Sequence, residues 1–488
     1  MLKKLLYIAL LGFVASSCTE DLMDDINKDL GNPPAASVDA KFQITDAIMS
    51  TAYTSWGGAY AWYVSSFTEQ TFGTGNNQLM KAELRQRTEV AASSTYNNEW
   101  NGTYANLENI RQIIEKCAEG GLNQNQPDLE GMAQLLWVLN AECLTDLHGD
   151  IPYSEALVTD QPKIDTQESI YADLLTRIEK AEALLTQAIE EGADNVGKQD
   201  ILYSGDTQQW LALAHAVKAR LYLNTSYRDS AALAKAGEAA QEALDAGFGG
   251  AQLSLFNGVD CDNSWAAYNW SRYYVGANAT VAQLMAERED PRYDIYAWDA
   301  FETGVPYAEA GNRTMAMETY TVGLPMWLEN GAAQLHIVSL SEVYFTLAEV
   351  KARTGADATA DMAAGVAASF ADYGEASTIG ALDATDYIAS LGEATLQEIM
   401  VQKYLAQTRD EQIQTYNDLR RCKALGTEYV TLNNPNNVSG GQNQWPLRLP
   451  YGNSDVVSNP NVAAAFGSGN DAGNYIYTEN IWLFGGSR

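Results

Sequence analysis

The chain has 488 residues, 46% of them apolar, with 30 Lys and Arg against 63 Asp and Glu for a formal charge of −33. That composition can build a large core, and the length can hold about three ordinary domains or one helical-repeat array. A surface this acidic repels nucleic-acid phosphates and anionic lipid headgroups, which argues against both as partners.

Lys3 and Lys4 precede a largely apolar run from Leu5 to Val14, and Ala15-Ser16-Ser17 lead into Cys18. A run that short cannot span about 30 Å of hydrocarbon. With its positive start and small residues, it reads as a cleaved export signal over 1–17. A cysteine directly after the small residues is where a bacterial lipoprotein takes its lipid, so Cys18 is the expected lipidation site. Residues 18–36 read as a flexible tether, with Glu20, Asp21, Asp24 and Asp25 before Gly31-Asn32-Pro33-Pro34 and no apolar period. Acidic residues at this place resemble the surface-export signals of outer-membrane lipoproteins. Residues 37–488 are then expected to form one exported domain.

Helix signals dominate that domain. Tyr96 to Glu119 and Pro127 to Leu147 form a first pair. Asp165 with Glu168 reads as a capping box, followed by Ile170, Leu174, Ile178, Ala181, Leu185 and Ile189 on one face until Gly192. Asp206 with Gln209 opens the next helix, and Asp229 opens an Ala-rich one that ends at Gly247. Ser339 with Glu342 and Thr395 with Glu398 open two more. The spacing predicts an all-α fold of degenerate tetratricopeptide-like repeats, about four helix pairs.

Long irregular inserts separate the helices, chiefly 56–95, 248–338 and 426–488, rich in Gly, Asn, Tyr and Trp. Loops of that size usually carry function. Two aromatic clusters stand out. One is Trp56, Tyr60, Trp62 and Tyr63; the other is Trp265, Tyr268, Trp270, Tyr273 and Tyr274. Sugars stack their C–H faces on such rings, with amides and carboxylates at the rim, and peptides use aromatics too. The first cluster can equally be a helix continuing from Phe42, with its rings in the core. Trp100, Trp137, Trp210 and Trp327 fall in or near helical patterns and read as packing. Cys117, Cys143, Cys261 and Cys422 are dispersed and read as small buried hydrophobes. His148, His215 and His336 lie far apart with no second ligand at i+3 or i+4, so no transition-metal site is expected.

Several strings resemble the SusD/RagB family of nutrient-binding outer-membrane lipoproteins. They are Asp146-Leu-His-Gly-Asp-Ile-Pro-Tyr-Ser-Glu-Ala156, Asp165 to Tyr171, Asp200 to Trp210, Lys218-Ala-Arg-Leu-Tyr222, Glu342 to Glu349, and Arg448-Leu-Pro-Tyr451 with Asn459-Pro-Asn461. The resemblance runs from Cys18 to the C-terminus. His148 stands where the family usually has an aromatic, and Tyr416-Asn-Asp-Leu-Arg-Arg421 replaces a Trp-containing string. The resemblance implies four tetratricopeptide-like pairs, a lipid-anchored cell-surface location at the outer membrane, and a SusC-like TonB-dependent transporter as partner. It further implies capture of an oligosaccharide or peptide by the inserts, with no cofactor and no catalysis. The sequence leaves open whether a calcium ion is held.

The expected ligand-binding residues are Trp265, Tyr268, Trp270, Tyr273, Trp56, Trp62 and Tyr63. Alternatives are an exported glycoside hydrolase and a helical-repeat adaptor. Among so many acids, carboxylate pairs carry no information, and no nucleophile elbow or HExxH motif is present.

Overall fold

A computed structural model describes residues 37–434 and 445–487. The export signal, Cys18 and the tether lie outside the described residues. Helix α1 (Lys41–Ser50) runs through a π-helical turn, Thr51–Trp56, and after Gly57-Gly58 restarts as α2 (Ala59–Phe67). Then come α3 (Asn97–Cys117), α4 (Pro127–His148), α5 (Gln167–Glu191), α6 (Thr207–Thr225) and α7 (Ala232–Asp245). The second insert carries α8 (Ser264–Arg272), and α9 (Leu340–Thr354), α10 (Thr359–Ala376), α11 (Leu396–Gln407) and α12 (Gln412–Leu425) complete the array.

Side-chain caps set several of these starts. Asp206 accepts from the backbone N–H of Gln208 and Gln209, Ser339 from that of Glu342, and Thr395 from that of Glu398. At α5 the cap is Thr166, which accepts from the N–H of Ser169, and not Asp165. Asp165 is drawn into a short strand instead, where its carboxylate accepts from the N–H groups of Tyr153 and Ser154.

Successive helices pack on one another from α3 through α7, and α7 then packs on α9, so the insert between them is looped out of the array. Gly237 permits that contact, because a Cβ there would meet Val350 Cγ1 at 2.9 Å. The all-α repeat expectation therefore holds.

Strand is confined, among the described residues, to three two-stranded antiparallel ladders. They comprise β1 (Phe72–Gly73), β2 (Ile151–Pro152), β3 (Ile164–Asp165), β4 (Ala251–Leu253), β5 (Val275–Gly276) and β6 (Leu335–Val338). Pairing of β4 with β6 closes the base of the second insert, and pairing of β1 with β5 stitches the first insert to the second. The inserts are thus less irregular than their composition implies.

The family-like strings prove to be scaffold. Glu342 and Glu349, two turns apart on α9, both face inward. Glu342 pairs with Arg220 of α6 at 2.5 Å. Glu349 takes Arg421 through two bonds of 2.6 and 2.8 Å, Arg353 at 2.7 Å and Lys403 at 3.6 Å. Asp418 adds contacts to Lys403 and Arg421. Burial works against the Glu349 charge, yet Arg421, Lys403 and Arg353 hold its carboxyl below the usual carboxylate range. Asp146 accepts from the Tyr171 hydroxyl and from Asn417, and Asp200 accepts from the Trp210 indole.

His148 packs as a ring, edge-on to Trp100 at 4.8 Å and Tyr60 at 5.5 Å and parallel to Tyr451 at 6.5 Å. Cys117, Cys143 and Cys422 are buried free thiols, and Cys261 is a half-buried one. No helix among the described residues is long and apolar enough to cross a membrane.

Candidate functional site

Asn263 opens α8 by accepting from the Trp265 N–H at 2.9 Å, so the second aromatic cluster lies on a helix and not in a loop. Helical spacing then sorts its rings. Trp265 and Asn269, four residues apart, point inward and are buried, whereas Trp270 points outward and is 36% exposed. Tyr273 ends the helix in a left-handed conformation at φ 54°.

Glu329 organises the outer side. Its carboxylate accepts from Asn269 Nδ2 at 2.9 Å and Trp270 Nε1 at 3.1 Å. Burial pushes this carboxyl above its ordinary range, and the Trp270 and Asn269 donors pull against that shift. The Trp270 ring lies over Gly331, where a Cβ would meet its Cη2 at 2.6 Å, so only glycine lets it lie there. Tyr273 meets Tyr320 at 4.8 Å and Phe301 at 6.2 Å, and Phe301 meets Tyr320 edge-on at 5.3 Å. Tyr320 is 53% exposed. Trp270, Tyr273, Phe301 and Tyr320 thus make an outward ring face with a carboxylate behind it.

Beside this face the two inserts meet. Trp62 of α2 stacks on Tyr268 of α8 with centroids 3.8 Å apart and planes 20° apart, and both are half-buried. The backbone of Thr74 bonds that of Tyr274, and the Thr74 hydroxyl donates to the Tyr273 carbonyl. The first insert therefore buttresses the second.

Three expected ligand residues are core and are corrected here. Trp56 is buried, donates Nε1 to the Leu139 carbonyl at 3.2 Å and lies under the Arg220 guanidinium at 4.6 Å. Tyr63 is buried and donates its hydroxyl to Glu89 at 3.0 Å. Trp265 is 1% exposed and packs edge-on to Trp62. Each lies on the inward side of the helical turn that carries it. Trp100, Trp137, Trp210 and Trp327 are buried, as their helical settings predict.

Phe301, Tyr320 and Glu329 belong to the face but escape a reading of local sequence. They lie 28 to 59 residues beyond Tyr273 or Trp270 along the insert, and only the fold brings them together. A position within the second insert was the one signal that could have pointed to them.

Two clefts lie elsewhere. One of about 340 Å³ is lined by Glu69, Arg85, Tyr429 and Trp445, and one of about 460 Å³ by Trp137, Tyr153, Asp173 and Arg177. Neither includes an outward ring of the α8 face. Trp270 and Tyr320 reach solvent there, where their ring faces can meet a ligand lying on the surface.

The sequence profile of a SusD-like family, described as starch-binding and associating with the outer membrane, matches residues 34–452. The chain belongs to this family. A crystal structure of a SusD/RagB family protein from Bacteroides thetaiotaomicron is 31% identical, covers 93% of this chain and 100% of its own, and superposes with a TM-score of 0.82. A SusD-like protein from the same organism is 19% identical over 91% of this chain and 99% of its own, with a TM-score of 0.73. A chitin-binding SusD homologue from Flavobacterium johnsoniae is 18% identical over 91% and 98%, with a TM-score of 0.69. The last two are similar in fold alone. No curated protein matches this SusD-like chain by sequence.

Proposed function

We propose that this SusD-like protein is a non-catalytic, lipid-anchored surface protein that captures an oligosaccharide on the α8 ring face. The observation that carries this reading is the outward group of Trp270, Tyr273, Phe301 and Tyr320 set around Glu329. Flat rings accept the apolar faces of pyranose units, and a buffered carboxylate at the edge accepts hydroxyl donors. Several solvent-reaching rings on one insert suit an oligomer, which offers more than one sugar face. The bound chain then passes to a SusC-like TonB-dependent transporter, on which the helical array docks. Cys18 carries the lipid, and residues 37–488 act as one domain.

Purified full-length protein in detergent, titrated with soluble starch fragments, chitin oligosaccharides and oligopeptides, tests the reading. Saturable binding of a glycan, weakened in Trp270→Ala and again in Tyr320→Ala with helical content unchanged, is the expected result. Binding that survives the double variant overturns the assigned face, and hydrolysis that persists through repurification overturns the non-catalytic role. Protease shaving of intact cells checks display: Cys18→Ala should remove the accessible, membrane-held pool.

A further inference from the structure

Three consecutive helices bring together side chains that the sequence keeps 27 to 33 residues apart. Glu182 on α5, His215 on α6 and Glu242 on α7 each offer one ligand atom, and these atoms all lie within 4.8 Å of one another. His215 Nδ1 is 2.6 Å from Glu182 Oε1 and 3.6 Å from Glu242 Oε2. Lys218, one turn after His215, reaches the same place, with Nζ 2.9 Å from Glu182 Oε2, 3.0 Å from Glu182 Oε1 and 3.9 Å from Glu242 Oε2. Glu182, His215 and Lys218 are mostly buried, with side-chain exposures of 14, 18 and 19%, while Glu242 closes the outer side at 53%. None of these residues belongs to the ring face.

We propose that Glu182, His215 and Glu242 bind a divalent transition metal of the zinc class, with Lys218 as the ammonium that the metal displaces. Two carboxylates and an imidazole nitrogen converge on one point, the donor set a divalent cation needs.

A nitrogen with two carboxylate oxygens suits zinc or its first-row neighbours, whereas calcium takes oxygen alone. Around a tetrahedral ion with bonds of about 2.0–2.2 Å, ligand atoms stand roughly 3.3–3.6 Å apart. The His215–Glu242 edge is already close to that spacing. The His215–Glu182 edge has to open slightly, and the flexible Glu182 side chain allows it. Lys218 lies near the surface and can swing out to solvent. A fourth position stays open to water. The bound ion would cross-link three helices of the array, so occupancy stabilises the fold by mass action.

The test uses full-length protein stripped with a chelator, then titrated with zinc chloride by calorimetry and with cobalt chloride by visible absorption. The expected result is one tight equivalent, a cobalt spectrum with nitrogen and oxygen ligation, and a zinc-dependent rise in Tm. All three are lost in His215→Ala and in Glu242→Gln, the second being half-exposed and so safe for folding, while Lys218→Met binds zinc more tightly. Wild-type protein that titrates no differently from His215→Ala overturns the site. Zinc affinity unchanged or weakened in Lys218→Met overturns the displacement of the ammonium.

Discussion

In the helical array, Glu349 is fully buried and meets Arg421, Arg353 and Lys403. On the ring face, Glu329 is half-exposed and meets two neutral donors, from Asn269 and Trp270. The first carboxylate locks helices against each other, and its charge is neutralised in place. The second holds rings at a surface and keeps acceptor capacity toward solvent. The aromatic residues divide the same way. Trp210 and Trp265 fill the core, whereas Trp270, on the same short helix as Trp265, lies outside. Rigidity in this molecule comes from buried charge and packed rings, and recognition from rings that the same helices turn outward.

The comparison breaks most sharply at Glu349. Replacing it with Ala takes from Arg421 its main counter-charge and from Lys403 its second, leaving both to Asp418 alone, and removing one partner of a buried pair costs about 3–5 kcal/mol. Denaturant melts should register that loss while the protein that stays folded binds ligand normally. A variant of wild-type stability would show that the network contributes little.

Trp265 and Trp270 sharpen the division on one helix. Trp265→Ala empties a core site and should cost about 3–5 kcal/mol. Trp270→Ala should change stability by no more than about 0.5 kcal/mol, yet lower ligand affinity by about 2 kcal/mol, the scale of an interface hot spot. Melts run beside ligand titrations read both quantities. If Trp270→Ala destabilises as much as Trp265→Ala, the outward face is structural.

A third difference lies in how the insert base responds to pH. His336 on β6 bonds Asp410 at 2.7 Å and approaches Asp372 at 3.5 Å. Burial opposes its charge, but the two carboxylates prevail and hold the imidazolium up to about 10. The unfolded imidazole titrates near 6.5. The pair's contribution is therefore fully present below about pH 6.5 and is lost as pH rises from there through about 10. Melts across that window should show a decline in wild type that His336→Gln largely removes.

Much of this was legible in the sequence, because helix caps and a 3.6-residue period act locally. Asp206, Ser339 and Thr395 cap where spacing predicts. Thr166 takes the cap from Asp165 because Asp165 finds partners in the Tyr153–Ser154 turn, and a linear reading does not see across that turn. The ring face was half legible. Trp270, Tyr273, Trp62 and Tyr268 were found as aromatic clusters, but Trp56, Tyr63 and Trp265 shared those clusters and point inward. Which way a ring points depends on the helix phase and on what packs beneath it. Phe301, Tyr320 and Glu329 arrive through the long second insert, and Glu182 reaches His215 from another helix, so neither grouping has a local spacing to detect.

A smaller effect than at Glu349 or Trp265 is expected at His148, the histidine that stands among aromatic rings. Its buried ring packs among Trp100, Tyr60 and Tyr451, and Nε2 shares a bond of 3.0 Å with the Tyr60 hydroxyl. Burial drives its pKa down to about 3, so the ring is neutral and behaves as an aromatic. His148→Phe keeps the ring contacts and leaves the Tyr60 hydroxyl unpaired, a loss of about 1–2 kcal/mol near neutral pH. Acid should reverse the order of the two proteins. The unfolded histidine takes up a proton below about 6.5 and the folded one only near 3, so wild type loses stability as pH falls through that interval. Phenylalanine carries no such penalty, and the two stability curves should converge or cross on acidification. Parallel curves, or a loss at neutral pH as large as that of Trp265→Ala, would mean that His148 does more than fill an aromatic place. Unchanged ligand binding in the variant would keep it with the scaffold, on the far side of the division from Trp270.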